Sequence, residues 1–511
     1  MNLICLFTIL ICIASLNRGH AEAAPLGYRQ QEKQNARYGK ALGLPRDGDQ
    51  LYLADTAYPR FPLPPGNESY ADVDGLKMKA AVEQITGFSR KSRADGNQYW
   101  GRIAGTRYDR MTEDWMLEQF QTRGLKEVRR QELKMKPQWY PESWKAEYTL
   151  GGKTAPIASA FPITGTVGTS PAGITADAVW IGLGTEADLQ GRDIKGKAAV
   201  IYSIATPGGR SHSASWNGAM RRANEAGAAL VIVIMGFPGN AISNPEGADG
   251  TRAPTFTISS DDGNLIREAL ETKGAVTIRI QADIQYKEGL TTGNIWGVLP
   301  GATDENIVIM AHSDAFFEGA LDNASGMVTL LEIARHYASL PMAKRRRTLT
   351  FLSTPDHHHG MAGIKWVHDH YDFSKTALIV NCEHTSQTML YLLNAGMMTS
   401  DAISARRWFV GGSGRVRNLV TDTFREFGVT TYAQPELKPG GELSQVYDKA
   451  PSFHLIDHVV YHTTLDTAEL VPAWGMEAAA RSFLKIIDGV NQMSLDEIKT
   501  TQSLHPKPLP Q

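Results

Sequence analysis

Histidine is the most unevenly placed residue of this 511-residue chain: eleven of its 14 copies fall between His312 and His462, where even spacing would put about four. Several stand just after runs that read as strands. His312 follows NIVIMA, the His357-His358-His359 run follows TLTFLSTPD, and His384 follows TALIVNCE. Residues at strand C-termini of an α/β sheet converge on one crevice. His312, Asp314, Asp322, the triple histidine, Glu383 and His462 are therefore candidates for a shared site. Imidazole and carboxylate together are the donor set of Zn2+ or a related divalent ion. His336, His368 and His370 lie within helical patterns, where packing explains them.

The elements that must position these groups follow from the apolar periodicity. From Gly293 onward, strand and helix patterns alternate: NIWGVLPG, NIVIMAHSD, GMVTLLEIARHYASL, TLTFLST, GIKWVHDHY, TALIVN and, near the end, AAARSFLKIIDGV. That alternation predicts an α/β fold with a mixed, largely parallel central sheet flanked by helices. Residues 72–149 are expected to be a helical part of the same domain, with Gly124 as a helix stop after MTEDWMLEQFQTRGL. Between residues 150 and 285 the texture changes to short β-branched runs with glycine-rich turns: ADAVWIGL, KAAVIYSI, ALVIVIM and AVTIRIQA. This predicts an inserted β-rich domain, leaving residues 286–511 as the main site-bearing part.

Residues 1–23 read as a secretory leader: Leu3 to Leu16 is uncharged and Ala21-Glu22-Ala23 offers a small-x-small cleavage pattern. Residues 24–71 read as a polar, proline-punctuated arm. Two of the three cysteines fall in the leader, so only Cys382 remains and no internal disulfide is expected; export without disulfides points to a periplasmic or secreted protein. Apolar residues at 42% and a net charge of −2 exclude a disordered chain and give no field that would attract nucleic acid. No later apolar run is long enough for a membrane span. Gly182-Leu-Gly184, Ser482-x-x-Lys485 and the basic run Lys344–Arg347 are read as a turn, a structural helix and a solvated loop.

HSDAFFEGALDNASG (312–326) resembles the metal-binding stretch of the M28 family of zinc-dependent peptidases, in which H-x-D precedes G-A-x-D-N-x-S-G. TLTFLST followed by HHHGMAG matches that family's strand and E-E-x-G-L-x-G turn in spacing, NCE (381–383) its N-x-D, and YHTTLDT (461–467) its H-T-x-x-D-T. The inserted stretch resembles a protease-associated (PA) domain through DIKGKAAVIY, AGAALVIVI and APTFTIS. The resemblance implies one or two Zn2+ ions. His312 and His462 would bind one each, Asp322 would bridge, and His358 and Glu383 would complete the set. Asp314 would stand behind His312 as an acceptor fixing its tautomer.

One departure is central. The family's adjacent glutamates, a base and a ligand, fall on His357 and His358. His358 can still ligate, and its neutral ring raises the net charge of the site by one unit. His357 is either a base or a further ligand, with Asp356 as the alternative base if the loop is shifted by one residue. Ser444–Val446 also reads S-Q-V where such peptidases often carry S-D-H. The resemblance therefore implies an exported metal-dependent hydrolase, an aminopeptidase acting on a peptide or small amide. The alternatives are another hydrolase, lyase or cyclising transferase on the same scaffold, or a silent binding protein.

Overall fold

The computed structural model describes residues 63–499, apart from 205–211, 238, 246–250, 273, 394–395 and 457–459. The expected leader and most of the arm lie outside the described residues. The end of the arm is docked: Tyr70 is buried and its hydroxyl donates to Asp488 at 2.8 Å.

The central sheet has seven strands: β1 Lys126–Lys134, β2 Thr291–Leu299, β3 Thr303–His312, β4 Arg347–Thr354, β5 Thr376–Asn381, β6 Arg407–Gly411 and β7 Ser452–Ile456, in the spatial order β6-β7-β5-β3-β4-β2-β1. The four strands β7, β5, β3 and β4 are parallel, while β6, β2 and β1 join antiparallel at the edges. Parallel strands buried on both faces need continuous apolar runs, and NIVIMA and TALIV supply them. Side-chain alternation divides β3 between two cores. Ile307, Ile309 and Ala311 face one layer of helices, and Val308 and Met310 face the other.

The larger layer holds α1 Gly75–Ala94, α2 Arg107–Thr122, α3 Gly326–Ser339, α5 Gly414–Glu426 and α6 Ala473–Asn491; α4 Ala362–His370 covers the opposite face. In α1 the Asp74 side chain caps the backbone N–H groups of Leu76 and Lys77, and Met78, Val82, Ile85 and Ser89 form the buried stripe. Gly124 ends the turn after α2 with φ 74°, a left-handed conformation that glycine accepts without strain.

Residues 138–287 leave the central sheet after β1 and return to it at β2, building an eight-stranded sheet of their own. Strands Gln138–Leu150 and Val276–Lys287 pair antiparallel as the outgoing and returning limbs. Ile174–Trp180, Ala198–Ser203, Leu230–Met235 and Thr255–Ile258 are successive parallel neighbours. The helical character expected over 72–149 thus stops at Thr122, and the inserted sheet begins at Gln138 rather than at 150. Strands such as KEVRRQELK are half exposed and charged, which hides them from an apolar-run reading.

The basic run Lys344–Arg347 is solvated only in part: Lys344 and Arg346 are exposed, but Arg345 and Arg347 are buried. Arg347 is fully buried and donates to the backbone oxygens of Val490 and Met493, while Arg345 reaches Pro300 O and Tyr337 O. These guanidinium groups satisfy carbonyls at helix ends and tie α3 and α6 to the sheet. Ser482 donates to Ala479 O within α6, as expected of a structural position.

The start of α3 is the tightest junction between sheet and helix. A Cβ at Gly326 would run into Cys382 O and Asn323 Oδ1. Asn323 at that point accepts from the N–H of Gly326 at 3.2 Å and donates to Cys382 O at 3.1 Å. Gly326→Ala is expected to destabilise the fold by about 1–3 kcal/mol, read as a lower urea midpoint with an unchanged m-value.

Candidate metal centre

The four parallel strands end at one edge, and the residues that follow them form the site. His312 closes β3, Asp322 lies in the 320–325 turn leading into α3, and His357 and His358 lie in the turn after β4. Glu383 and His384 follow β5, and His462 lies in the loop after β7. Among the described residues, five of the six non-glycine residues with left-handed backbone surround this edge: Phe317, Asp356, Met361, His384 and His462. Such conformations persist where the surrounding structure enforces them.

Asp322 is the hub. Its Oδ1 lies 3.0 Å from His312 Nε2 and 3.1 Å from His384 Nε2, and its Oδ2 lies 3.4 Å from His462 Nε2 and 3.8 Å from His358 Nε2. Burial alone would raise the pKa of Asp322, but His358 and its other imidazole neighbours hold it well below the usual carboxylate range. Two sets of candidate ligand atoms share this carboxylate, Asp322-His358-His462 and His312-Asp322-His384; a third joins His312, His357, Glu383 and Glu442. His312 Nε2, His358 Nε2 and Glu383 Oε1 are buried without a directed hydrogen-bond partner. Buried polar atoms left unsatisfied in this way are costly unless an ion or water completes them. The donor set therefore fits Zn2+ or a similar ion. The structure brings together all five residues expected as ligands, His312, Asp322, His358, Glu383 and His462, within this cluster.

The three residues expected in catalytic roles are placed differently from one another. His357 Nδ1 lies 2.7 Å from Glu442 Oε2, and its ring stacks on His312 at 4.0 Å. Burial works against the imidazolium of His357, but Glu442 outweighs it and holds the pKa up at about 9. Asp314 accepts from the backbone N–H of His357 and of His358 at 3.1 and 3.3 Å, so it fixes the histidine turn itself. Its carboxylate lies 3.5 Å from His312 Nδ1, while its backbone oxygen is nearer at 3.2 Å. Asp356 belongs to none of the three ligand sets. It accepts from the N–H of Ala362 at 3.1 Å at the start of α4, and burial pushes its carboxyl up to about 7. His359, the third of the run, hydrogen-bonds the Tyr99 hydroxyl at 2.6 Å and belongs to no ligand set either.

Other contributors were not among the expected site residues. Glu442 follows Gly440-Gly441, and a Cβ at Gly441 would strike Glu383 Oε2, so glycine there lets the two carboxylates approach. Asp466, the aspartate inside HTTLDT, accepts from the N–H of Leu321 and of Asp322 at 2.7 and 3.1 Å. Burial raises its carboxyl to about 7. Arg102 is fully buried and donates to Ser313 O, Glu318 O, Gly319 O and Ser89 Oγ. Its charge faces Asp314, Asp322 and Asp466.

The inserted domain reaches the centre directly. His462 Nδ1 lies 3.2 Å from Asn244 O, and the N–H of Asn244 donates to His462 O at 2.8 Å. Acceptors of this kind fix the tautomer that leaves Nε2 for an ion. An aromatic cluster of Tyr99, Trp100, Trp139, Phe161, Phe316 and Phe317 packs the insert against the site. Phe316 stacks on His358 and Tyr461 on His462.

The profile of Peptidase family M28 matches residues 294–487, the stretch that carries β2 to β7 and every candidate ligand. Over these residues the chain is similar to peptidase family M28. Aminopeptidase YwaD of Bacillus subtilis is 29% identical over 194 residues, an alignment that spans 37% of this chain and 39% of that relative. In architecture the chain is similar to a zinc aminopeptidase from Bacillus subtilis, with a TM-score of 0.59 at 17% identity, covering 84% of this chain and 98% of the other. It is also similar to a Peptidase M28 precursor from Shewanella amazonensis, with a TM-score of 0.62 at 18% identity, covering 87% and 100%. The α/β architecture expected from the sequence is thus that of the M28 fold.

Arg102 neutralises buried carboxylates that would otherwise repel one another. Arg102→Met is expected to cost roughly 3–5 kcal/mol of stability, measured by urea unfolding of metal-free protein.

Proposed function

We propose that the protein is a metal-dependent aminopeptidase that removes residues from the ends of peptides or cleaves related small amides. The observation that carries this reading is the convergence of His312, Asp322, His358, Glu383 and His462 at the ends of four parallel strands inside the stretch similar to peptidase family M28. A bound divalent ion there polarises a carbonyl and lowers the pKa of water. The candidate ligands are all buried, which favours the end of a chain over an internal segment as the group that enters.

The protein's own groups supply the rest. The His357–Glu442 pair stands where the family has its first glutamate and holds a proton at His357 Nδ1. With Glu442 as carboxylate anchor and the ring protonated near neutral pH, His357 can give a proton to the leaving amine and be recharged by the proton that the attacking water releases. Asp314 keeps the His357 and His358 backbones in place during that exchange. The replacement of both glutamates by histidine supports a second reading, a different hydrolase, lyase or cyclising transferase on this scaffold, since fold does not fix chemistry.

Aminoacyl-p-nitroanilides and dipeptides separate the two. Cleavage that chelation abolishes and Zn2+ restores supports the first reading; bound metal with no amide cleavage supports the second. Glu442→Gln is expected to lower kcat by about 10²- to 10⁴-fold with KM little changed, the range for a lost acid–base group. We also propose export to the periplasm or medium, on the strength of the uncharged Leu3–Leu16 stretch and the single cysteine beyond it. Fractionation of expressing cells, with N-terminal sequencing of the product, is expected to find a chain that begins near Ala24; full-length protein in the cytoplasm would overturn it.

A further inference from the structure

We infer that Asp109 and Glu113 hold a single proton between them across the Thr292 hydroxyl, and that this proton clasps α2 to the root of the inserted domain. The root is where the chain leaves the central sheet after β1 and returns to it at β2, and there the N–H of Met135 donates to Leu290 O at 3.0 Å. Gly105 closes against both limbs, since a Cβ there would strike Met135 Sδ and the Leu290 side chain. Helix α2 begins just beyond, and its Asp109 and Glu113, one turn apart, point inward and are each 1% exposed. Asp109 Oδ2 accepts from the N–H of Gly105 at 2.8 Å, and Glu113 Oε1 accepts from the N–H of Gly293 at 2.7 Å. The Thr292 hydroxyl stands between the two acids, 2.7 Å from Asp109 Oδ2 and 2.9 Å from Glu113 Oε1.

A hydroxyl carries one proton and donates once. With both acids ionised, one of these short contacts would set a lone pair of Thr292 against an anionic oxygen. A proton on Asp109 Oδ2 resolves this: Asp109 donates to Thr292, and Thr292 donates to Glu113. The surrounding charges assign the proton to Asp109. Glu113 Oε2 lies 2.9 Å from Arg110 and 2.8 Å from Arg130, which also pair with Glu132 and Asp114. Among the described residues no cation stands at ion-pair distance from Asp109, and its Oδ1 is buried without a hydrogen-bond partner. Farther off, Asp314 opposes its ionisation and Arg102 favours it. Burial, and then the charge of Glu113, push the Asp109 carboxyl well above its usual range. An acid raised in this way stabilises the fold fully below its unfolded pKa of about 3.9, and that stabilisation is lost as pH rises toward the folded value. Once Asp109 ionises, a second buried negative charge stands beside Glu113 and the clasp loosens. The seat of the inserted domain, which orients His462 through Asn244, thereby responds to pH.

Hydrogen exchange of the wild type over residues 103–113 and 288–294, corrected for the intrinsic pH dependence of exchange, tests the clasp without a variant. Protection there is expected to fall by up to about tenfold per pH unit between about pH 5 and 7, while α6 shows no such loss. Asp109→Asn keeps an acceptor for Gly105 and a donor for Thr292 but has no proton to lose. In urea, the folding constant of the wild type relative to this variant is expected to fall by up to about tenfold per pH unit over the same range. The infrared difference between the two proteins at neutral pH is expected to show the band of a buried protonated carboxyl. Wild-type protection that follows α6, equal pH slopes in the two proteins, or a difference spectrum without that band overturns the inference. Each readout is taken without substrate or metal, so its failure leaves the proposed function standing.

Discussion

A carboxylate surrounded by imidazoles and cut off from water is the constraint on which this structure depends. Asp322 faces His312, His358, His384 and His462 at 3.0–3.8 Å, and all five side chains are buried. At such distances and low effective dielectric, charge interactions are several times stronger than in water. The carboxylate stays ionised despite its burial, and every group that sets its position matters. Asp466 grips its backbone, and the next residue, Asn323, donates to His312 O at the end of β3 and to Cys382 O just after β5. Arg102 supplies the compensating positive charge.

The inserted domain takes part in that constraint. The carbonyl of Asn244 faces His462 Nδ1, so one metal-facing imidazole is oriented by a residue from outside the central sheet. The aromatic packing between insert and sheet keeps this contact from being a loose one. A substitution in the inserted sheet can thus act on the centre through the orientation of His462.

The family pattern of adjacent glutamates is replaced by adjacent histidines, and the structure shows how charge is redistributed. A carboxylate lost from the turn after β4 is matched by Glu442, which arrives from another loop and lies against His357. Gly441 makes that approach possible beside Glu383. Asp314 serves the backbone of the same turn more closely than it serves His312.

Local sequence determined β2 to β5 with α3, α4 and α6, because β-branched apolar runs and helical periodicity depend on neighbours in the chain, whereas β6, β7 and α5 were not read from it. It also determined the His312–Asp322 motif and the candidate ligands, since their spacing after strands is a local signal. Charged edge strands such as Lys126–Lys134 escaped, because an edge strand needs no apolar run. Arg345 and Arg347 read as solvated charge, since nothing in the sequence announces the carbonyls they satisfy. Glu442, Arg102 and the carbonyl of Asn244 were decided only by the tertiary structure. They lie 85 to 364 positions from the histidines or aspartates they serve, and chain closure over that span is fixed by packing of the whole sheet, which no local pattern encodes.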